Sequence, residues 1–369
     1  MRKEAFPVFA AVVNAARRGV RVRLITNDYG GQTCAGSVAP LDFLALQGGL
    51  QLRRYDSTTF VHTKYMCADD KFASVSSVNW SKTSYMYNRE AGVLLQEVKS
   101  EGGSSGLVAF YQSAFETDWK IADGWPLGRA YSDVEKADLS SGGQLPVVVP
   151  QPDAPAGAYV TDAPVLREVS TSGALAWASP DFARSALLEQ VKAATTSLRV
   201  MIYQVTDDGL CTALADANDR GVRVDLLVSE DIYGADDKTF AWACYDRLLD
   251  RGLTPRRTPS YYRYSHQKFW IVDGKGVGLS TGNWSPSDFP DQDTFPPYSG
   301  GGRGATEDGG FGGRTYGSQV QGDNNTWVKT NRDLNLYLED AHTVGIFNAV
   351  IDEDWKRGED WTKQSWSDV

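Results

Sequence analysis

Histidine is scarce in this chain, with three among 369 residues. The four cysteines (Cys34, Cys67, Cys211 and Cys244) are scattered and form no C-x-x-C pair, so neither a structural zinc site nor a disulfide scaffold is indicated. No uninterrupted apolar stretch reaches the roughly eighteen residues that a membrane span requires, so no integral membrane segment is expected. Near the N-terminus, Phe9-Ala10-Ala11-Val12-Val13 is broken by Asn14 and runs into Arg17-Arg18-Gly19, where a leader would carry a cleavage site. That stretch reads as an amphipathic helix, and nothing assigns a compartment. An excess of positive charge is also missing. The net charge of −10 argues against a protein that sequesters nucleic acid or anionic membranes, although a local basic cleft is compatible with an acidic whole. What is there is ordinary for a globular protein: 41% hydrophobic and 23% charged residues, in a length that suits two domains or one duplicated unit.

Duplication is what the sequence displays. Arg18-Gly19-Val20-Arg21-Val22 returns as Arg220-Gly221-Val222-Arg223-Val224. Gly49-Leu50 with Arg53-Arg54 returns as Gly252-Leu253 with Arg256-Arg257. Asn88-Arg89-Glu90 matches Asn331-Arg332-Asp333, and Asp118-Trp119 matches Asp354-Trp355. In each copy a helical apolar pattern precedes a short Val/Leu/Ile strand, which predicts α/β halves packed on sheets. The halves are expected at 1–138 and 170–369. A Pro/Gly/Ser-rich linker at 139–169 separates them, and a glycine-rich insertion at 299–322 lengthens the second. The second copy opens with a helix (Leu187, Leu188, Val191, Ala194) and a strand from Leu198 to Tyr203. Nothing equivalent precedes Phe9, so the first half is expected to be N-terminally incomplete.

Two motifs of identical spacing lie inside the repeat. After His62-Thr63-Lys64 come four residues, Asp69, six residues, and Ser76-Ser77-Val78-Asn79. After His266-Gln267-Lys268 come four residues, Asp273, six residues, and Ser280-Thr281-Gly282-Asn283. A His and a Lys two apart on a strand point to the same face, so both reach one ligand. The runs that follow, Tyr65-Met66-Cys67-Ala68 and Phe269-Trp270-Ile271-Val272, read as buried core strands. Converging across a pseudo-two-fold, two copies would surround one phosphate with two His, two Lys and two Asn, whose donors stabilise charge on its oxygens.

This pattern resembles the duplicated H-x-K-x4-D-x6-G-S-x-N signature of the phospholipase D superfamily, over most of the chain. The resemblance implies an α/β chain with a duplicated phospholipase D-like fold: two pseudo-symmetric α/β/α halves with central mixed sheets, the first lacking its N-terminal strand. It further implies a two-step reaction through a phosphohistidine, with no metal and no cofactor. By the same resemblance His62 is the nucleophile and His266 the general acid, and Lys64, Lys268, Asn79 and Asn283 bind the phosphate. An acidic residue shortly after each Asn holds the neighbouring His in its tautomer, a place taken by Glu90 and Asp333. Ser77 and Thr281 would contact substrate, while Asp69 and Asp273 brace loops. Two departures stand out: Ser76 and Ser280 replace the usual Gly, and Asp333 replaces the commoner Glu, so the second His would be held less firmly.

A single histidine defaults to a structural role, but two of the three here occupy equivalent positions of a repeat, which points to a site. His342, without a partner, reads as structural or surface. Trp80 and Trp284 read as core, and Trp119 and Trp355 as packing residues. The Arg53-Arg54 and Arg256-Arg257 pairs are either solvated strand ends or phosphate contacts. The reaction class is hydrolysis or transfer at a phosphodiester, and the fold does not choose the substrate. The acidic charge favours glycerophospholipid at a membrane surface. Single-stranded nucleic acid is the alternative, stacked on Tyr261, Tyr262 and Tyr264 beside Arg263. An inactive fragment or binding protein is a third reading, raised by the missing strand. Because both motifs lie in one chain, a monomer suffices for the site.

Overall fold

The computed structural model describes residues 7–27, 35–55, 60–97, 106–127, 129–141, 173–179, 183–290 and 331–363. Most of the expected linker and the whole 299–322 insertion lie outside the described residues. Backbone contacts divide the chain into two compact units. Among the described residues the first draws on 7–61 and 113–141, and the second on 62–112, 173–290 and 331–363. Both His-x-Lys motifs therefore belong to the second unit, which gathers chain from either side of the linker.

In the first unit the strand Val22–Asn27 runs parallel to Leu50–Tyr55, whose far edge pairs with Asp123–Gly124. The helix Pro7–Arg17 lays Val13 and Ala16 against Phe43, Leu44, Leu50 and Leu52, an apolar cluster built on helical spacing. Arg53 stacks its guanidinium 4.3 Å above the Trp119 ring and donates to the Trp119 carbonyl at 2.6 Å. Arg256 sits over Trp355 at 5.2 Å in the same way within the second unit. Both arginines thus fasten strand ends to tryptophans and are committed to packing, so the phosphate-contact alternative falls away for them.

The second unit is organised by a large mixed sheet. Its strands run in the order Glu359–Asp360, Arg256–Arg257, Arg223–Val228, Ser197–Ile202, Lys268–Val272, Gly276–Ser280, Asn331–Glu339 and Gly173–Ser179. The last of these has no counterpart in the sequence reading. Leu198, Val200, Leu226, Val228 and Trp270 are fully buried against the helices Ala183–Ala193 and Asp208–Asp219, each large side chain contributing about 1.5–3 kcal/mol. Asp207 caps the second helix through Leu210 N–H (2.7 Å) and pairs in bidentate fashion with Arg184 at 2.8 Å. A smaller antiparallel sheet, Tyr65–Ala68 with Phe72–Ser76 and Gly92–Gln96, repeats the strand–hairpin–strand pattern of the second motif.

The two motif strands differ in burial. Lys268–Val272 is buried throughout, being flanked on both sides within the large sheet. Tyr65–Ala68 lies at the edge of a three-stranded sheet and leaves Met66 48% exposed, so the expectation of two equal core strands is corrected. The cysteine reading also needs correction: Cys211 and Cys244 form a disulfide with Cα atoms 5.9 Å apart, joining the helices Asp208–Asp219 and Ala235–Asp250. Helix packing brings them together across 33 residues, a proximity that no spacing motif encodes. Cys67 is a free, half-buried thiol, pushed up to about 11 by burial.

Candidate active site

Each motif hairpin turns on an aspartate in the left-handed region, Asp69 at φ +54° and Asp273 at φ +51°, which Asp tolerates better than most residues. Asp273 accepts the backbone N–H groups of Thr195, Thr196 and Ser197 at 2.8–3.0 Å and both threonine hydroxyls, tying the hairpin to the strand Ser197–Ile202. Burial pushes its carboxyl up, but those donors outweigh burial and hold it well below the usual carboxylate range. Its contacts are those of a brace. At the other end of each hairpin, Ser76 and Ser280 use their hydroxyls to accept Val78 N–H (3.3 Å) and Gly282 N–H (2.9 Å). The side chain thereby closes the turn where the signature carries Gly.

The two histidines are clasped crosswise. His62 Nδ1 lies 3.1 Å from Asp333 Oδ1, and His266 Nδ1 lies 3.1 Å from Glu90 Oε2 and 3.0 Å from the Ser77 carbonyl. Each imidazole thus meets the acidic residue of the other copy, where the sequence pairs each acid with its neighbour. Backbone pairing builds the exchange: His62 N–H donates to Arg332 O and His266 N–H to Arg89 O, beside Asp333 and Glu90. The carboxylate at Nδ1 fixes the orientation of each ring.

The acids are held in turn. Ser77 Oγ donates to Glu90 Oε2, and Thr281 Oγ1 donates to Asp333 Oδ1 at 2.7 Å. Both hydroxyls therefore orient carboxylates. Lys64 Nζ donates to the His62 and Thr281 carbonyls, and Lys268 Nζ to the His266 carbonyl at 2.6 Å. Both ammonium groups are buried. Burial pushes Lys64 down to about 8, against the pull of Asp333, Asp288 and Glu90. Burial and the nearby Lys64 lower Lys268. Burial and the Lys268 charge also bring His266 down to about 4, against Glu90, so its ring is neutral at pH 7. Asn283 is half-buried, with Oδ1 sheltered from solvent and without a hydrogen-bond partner among the described residues, whereas Asn79 lies on an exposed turn.

The sequence reading misses two residues. Tyr203 packs its ring edge-on to His266 at 5.0 Å and lies 5.5 Å from Lys268 Nζ, filling the wall behind that pair. Asp288 places Oδ1 3.5 Å from His62 Nδ1. His62, Asp288 and Asp333 offer donor atoms within 4.8 Å of one another, a spacing that could suit a cation. The Asp288 oxygens, however, already accept Asn283 N–H (2.8 Å), Ser285 Oγ (2.7 Å) and Asn331 Nδ2, and two buried lysines supply positive charge. The donor set fits a hydrogen-bonded carboxylate pair better than a metal site.

Two matched segments, residues 4–119 and 187–294, fit the family described as cardiolipin synthase, PLD-like domain, and together they cover more than half of the chain. The chain belongs to the phospholipase D-like family. It is 32% identical over 115 residues to the mitochondrial cardiolipin hydrolase of Xenopus tropicalis, covering 31% of this chain and 49% of that protein. The Xenopus laevis protein of the same name is 31% identical over 109 residues, covering 29% and 46%. The chain thus spans about half the length of these curated relatives. Its fold is similar to that of phosphatidylserine synthase from Haemophilus influenzae Rd KW20, with a TM-score of 0.56 at 10% identity over 99% of this chain and 88% of that one.

Within this phospholipase D-like chain the remaining assignments sort by burial. Trp284 is fully buried, as expected, but Trp80 is 42% exposed. Tyr262 is buried, with its hydroxyl on Asp354 (2.9 Å) and its ring under Arg89, so it cannot stack a base. His342 sits exposed in the first turn of the helix Ala341–Arg357.

Proposed function

We propose that this chain is a phosphodiesterase that hydrolyses, or transfers, the phosphodiester of glycerophospholipids through a phosphohistidine intermediate without a metal ion. One observation carries the reading: two imidazoles, each held at Nδ1 by a carboxylate of the other copy, accompany two buried lysines of the same motifs. One ring attacks phosphorus while the other protonates the leaving alcohol, after which water or a second alcohol releases the intermediate. Lys64, Lys268 and the half-buried Asn283 face charge that grows on the phosphoryl oxygens.

Lipid is favoured over nucleic acid by what surrounds the site. Trp80, Tyr85 and Met86, which follow Asn79 within seven residues, are 42%, 42% and 61% exposed, an amphipathic group suited to a lipid surface. The net charge of −10 and the committed Tyr262 weaken the nuclease reading. The relatives named as cardiolipin hydrolases point to the same substrate class.

The test is turnover of phosphatidylcholine and cardiolipin vesicles in ethanol-containing buffer with EDTA, beside labelled single-stranded DNA, for the wild type and His62→Ala. Phosphatidyl-ethanol that disappears in the variant is expected. Shortened DNA without a lipid product would transfer the assignment to a nuclease, and activity surviving His62→Ala would overturn the catalytic assignment.

A further inference from the structure

One of the differences between the two copies faces a histidine. Five residues after the motif asparagine, the first copy has Ser84 and the second has Asp288. The local turns are otherwise alike. Ser81 Oγ accepts Ser84 N–H at 3.3 Å, and Ser285 Oγ accepts Asp288 N–H at 3.2 Å. Asn88 Nδ2 reaches Ser84 Oγ at 3.4 Å, and Asn331 Nδ2 reaches the carboxylate of Asp288. A hydroxyl in one copy is thus a carboxylate in the other, and that carboxylate lies 3.5 Å from His62 Nδ1.

Resting on the phosphodiesterase reading, we propose that Asp288 is a positioning residue that makes the two histidines unequal. Its carboxylate, added to that of Asp333, holds the His62 ring at Nδ1 as the donor to the leaving alcohol, and His266 is the nucleophile. This exchanges the roles that the family resemblance suggests. His266 Nε2 attacks phosphorus and the P–N bond forms as the P–O bond to the alcohol breaks. The His62 Nε2 proton passes to that departing oxygen. Water then attacks, His62 takes back a proton from it, and the P–N bond breaks.

The groups facing His62 include Asp333 (3.1 Å) and Asp288 (3.5 Å), with the Lys64 ammonium on its carbonyl. Those facing His266 include Glu90, the Lys268 and Lys64 ammonium groups and the Tyr203 ring, with a neutral carbonyl from Ser77 where His62 has a second acid. Asp288 also holds Asn283 N–H, so one carboxylate fixes both the imidazole and the turn that presents a phosphate donor. Supporting this, Asp288 is drawn well below the usual carboxylate range: burial raises it, but His62 and its hydrogen bonds outweigh burial. Burial and the adjacent Asp288 raise Asp333.

The experiment uses the full chain with 15N-labelled histidine, three resonance sets in all, titrated by NMR alongside pH profiles of kcat. Asp288→Ser installs the side chain that this turn already accepts in the first copy, and Ser84→Asp makes the reciprocal change. Asp288→Ser should shift the His62 15N resonances and leave those of His266 in place, moving the high-pH fall of kcat downward with at least about a tenfold loss. Ser84→Asp should raise the His266 titration. Unmoved His62 resonances in Asp288→Ser, or an unmoved His266 titration in Ser84→Asp, overturn the proposal whether or not the variants fold well. Shifted His62 resonances in a chain inactive on every substrate would support the positioning role and defeat the phosphodiesterase reading alone.

Discussion

Gly282 measures how tightly the two acids are packed behind His62. A Cβ at this position would lie 2.8 Å from the Asp333 carboxyl carbon and Oδ2 and 2.9 Å from Asp288 Cβ, where ordinary contact begins at 3.4 Å. Gly282→Ala must therefore push the pair back by about 0.6 Å, since neither residue is the free end of a flexible chain. Overpacking of this kind costs about 1–3 kcal/mol, or roughly 3–10 °C in Tm for a unit of this size. Displacing Asp333 also slackens its 3.1 Å contact with His62, and misplacement approaching an ångström lowers turnover by up to about 100-fold. The first copy supplies the control, because Val78 stands at the matching position with a bulkier side chain and no second acid behind it. Thermal unfolding by circular dichroism and kcat on vesicles should be measured for Gly282→Ala and Val78→Ala. Wild-type Tm together with wild-type kcat in Gly282→Ala would refute the reasoning.

Stability should depend on pH through His266. Its folded-state value of about 4 lies below the ordinary 6.5, so the unfolded chain binds the extra proton between them. Stability therefore rises from pH 4 to 6.5, by at most about 3 kcal/mol, and urea midpoints across that range should lose much of the slope in His266→Gln. Arg89→Ala should destabilise by about 3–5 kcal/mol in urea unfolding, because it strands Asp354, which is fully buried and 2.9 Å from Arg89 Nε. Tyr262→Phe, which removes one neutral donor from the same carboxylate, should cost only about 1–2 kcal/mol. Reducing the Cys211–Cys244 bond opens a loop closed across 33 residues and should lower unfolding free energy by about 4 kcal/mol, read as a drop in urea midpoint with dithiothreitol.

Local signals carried most of what the sequence made legible. The spacing of His, Lys, Asp and Asn marked both hairpins, and the strand Lys268–Val272 and helix Ala183–Ala193 fall where periodicity put them. The crosswise pairing was not legible, because it depends on which backbone lies beside His62, and Arg332 is 270 residues away. Asp288 was missed for a related reason. A comparison of the copies highlights what they share, whereas Asp288 matters because Ser84 differs from it. Burial was misjudged at Tyr65–Ala68 because an apolar run looks the same at a sheet edge as in its middle. The strand Gly173–Ser179 follows a Pro-rich segment and has neither strict alternation nor a repeat partner to reveal it.

The crosswise clasp bears on how the two copies can change over time. In an isologous dimer residue i of one subunit meets residue j of its mate, and j meets i in return. His62 with Asp333 and His266 with Glu90 reproduce that reciprocity inside a single polypeptide. Neither copy clasps its own histidine, so loss of either acid would loosen the ring of the other copy. Fusion permits what a true homodimer forbids: a difference such as Ser84 against Asp288 can enter one copy only, and rings that began as equals can come to sit in unequal surroundings.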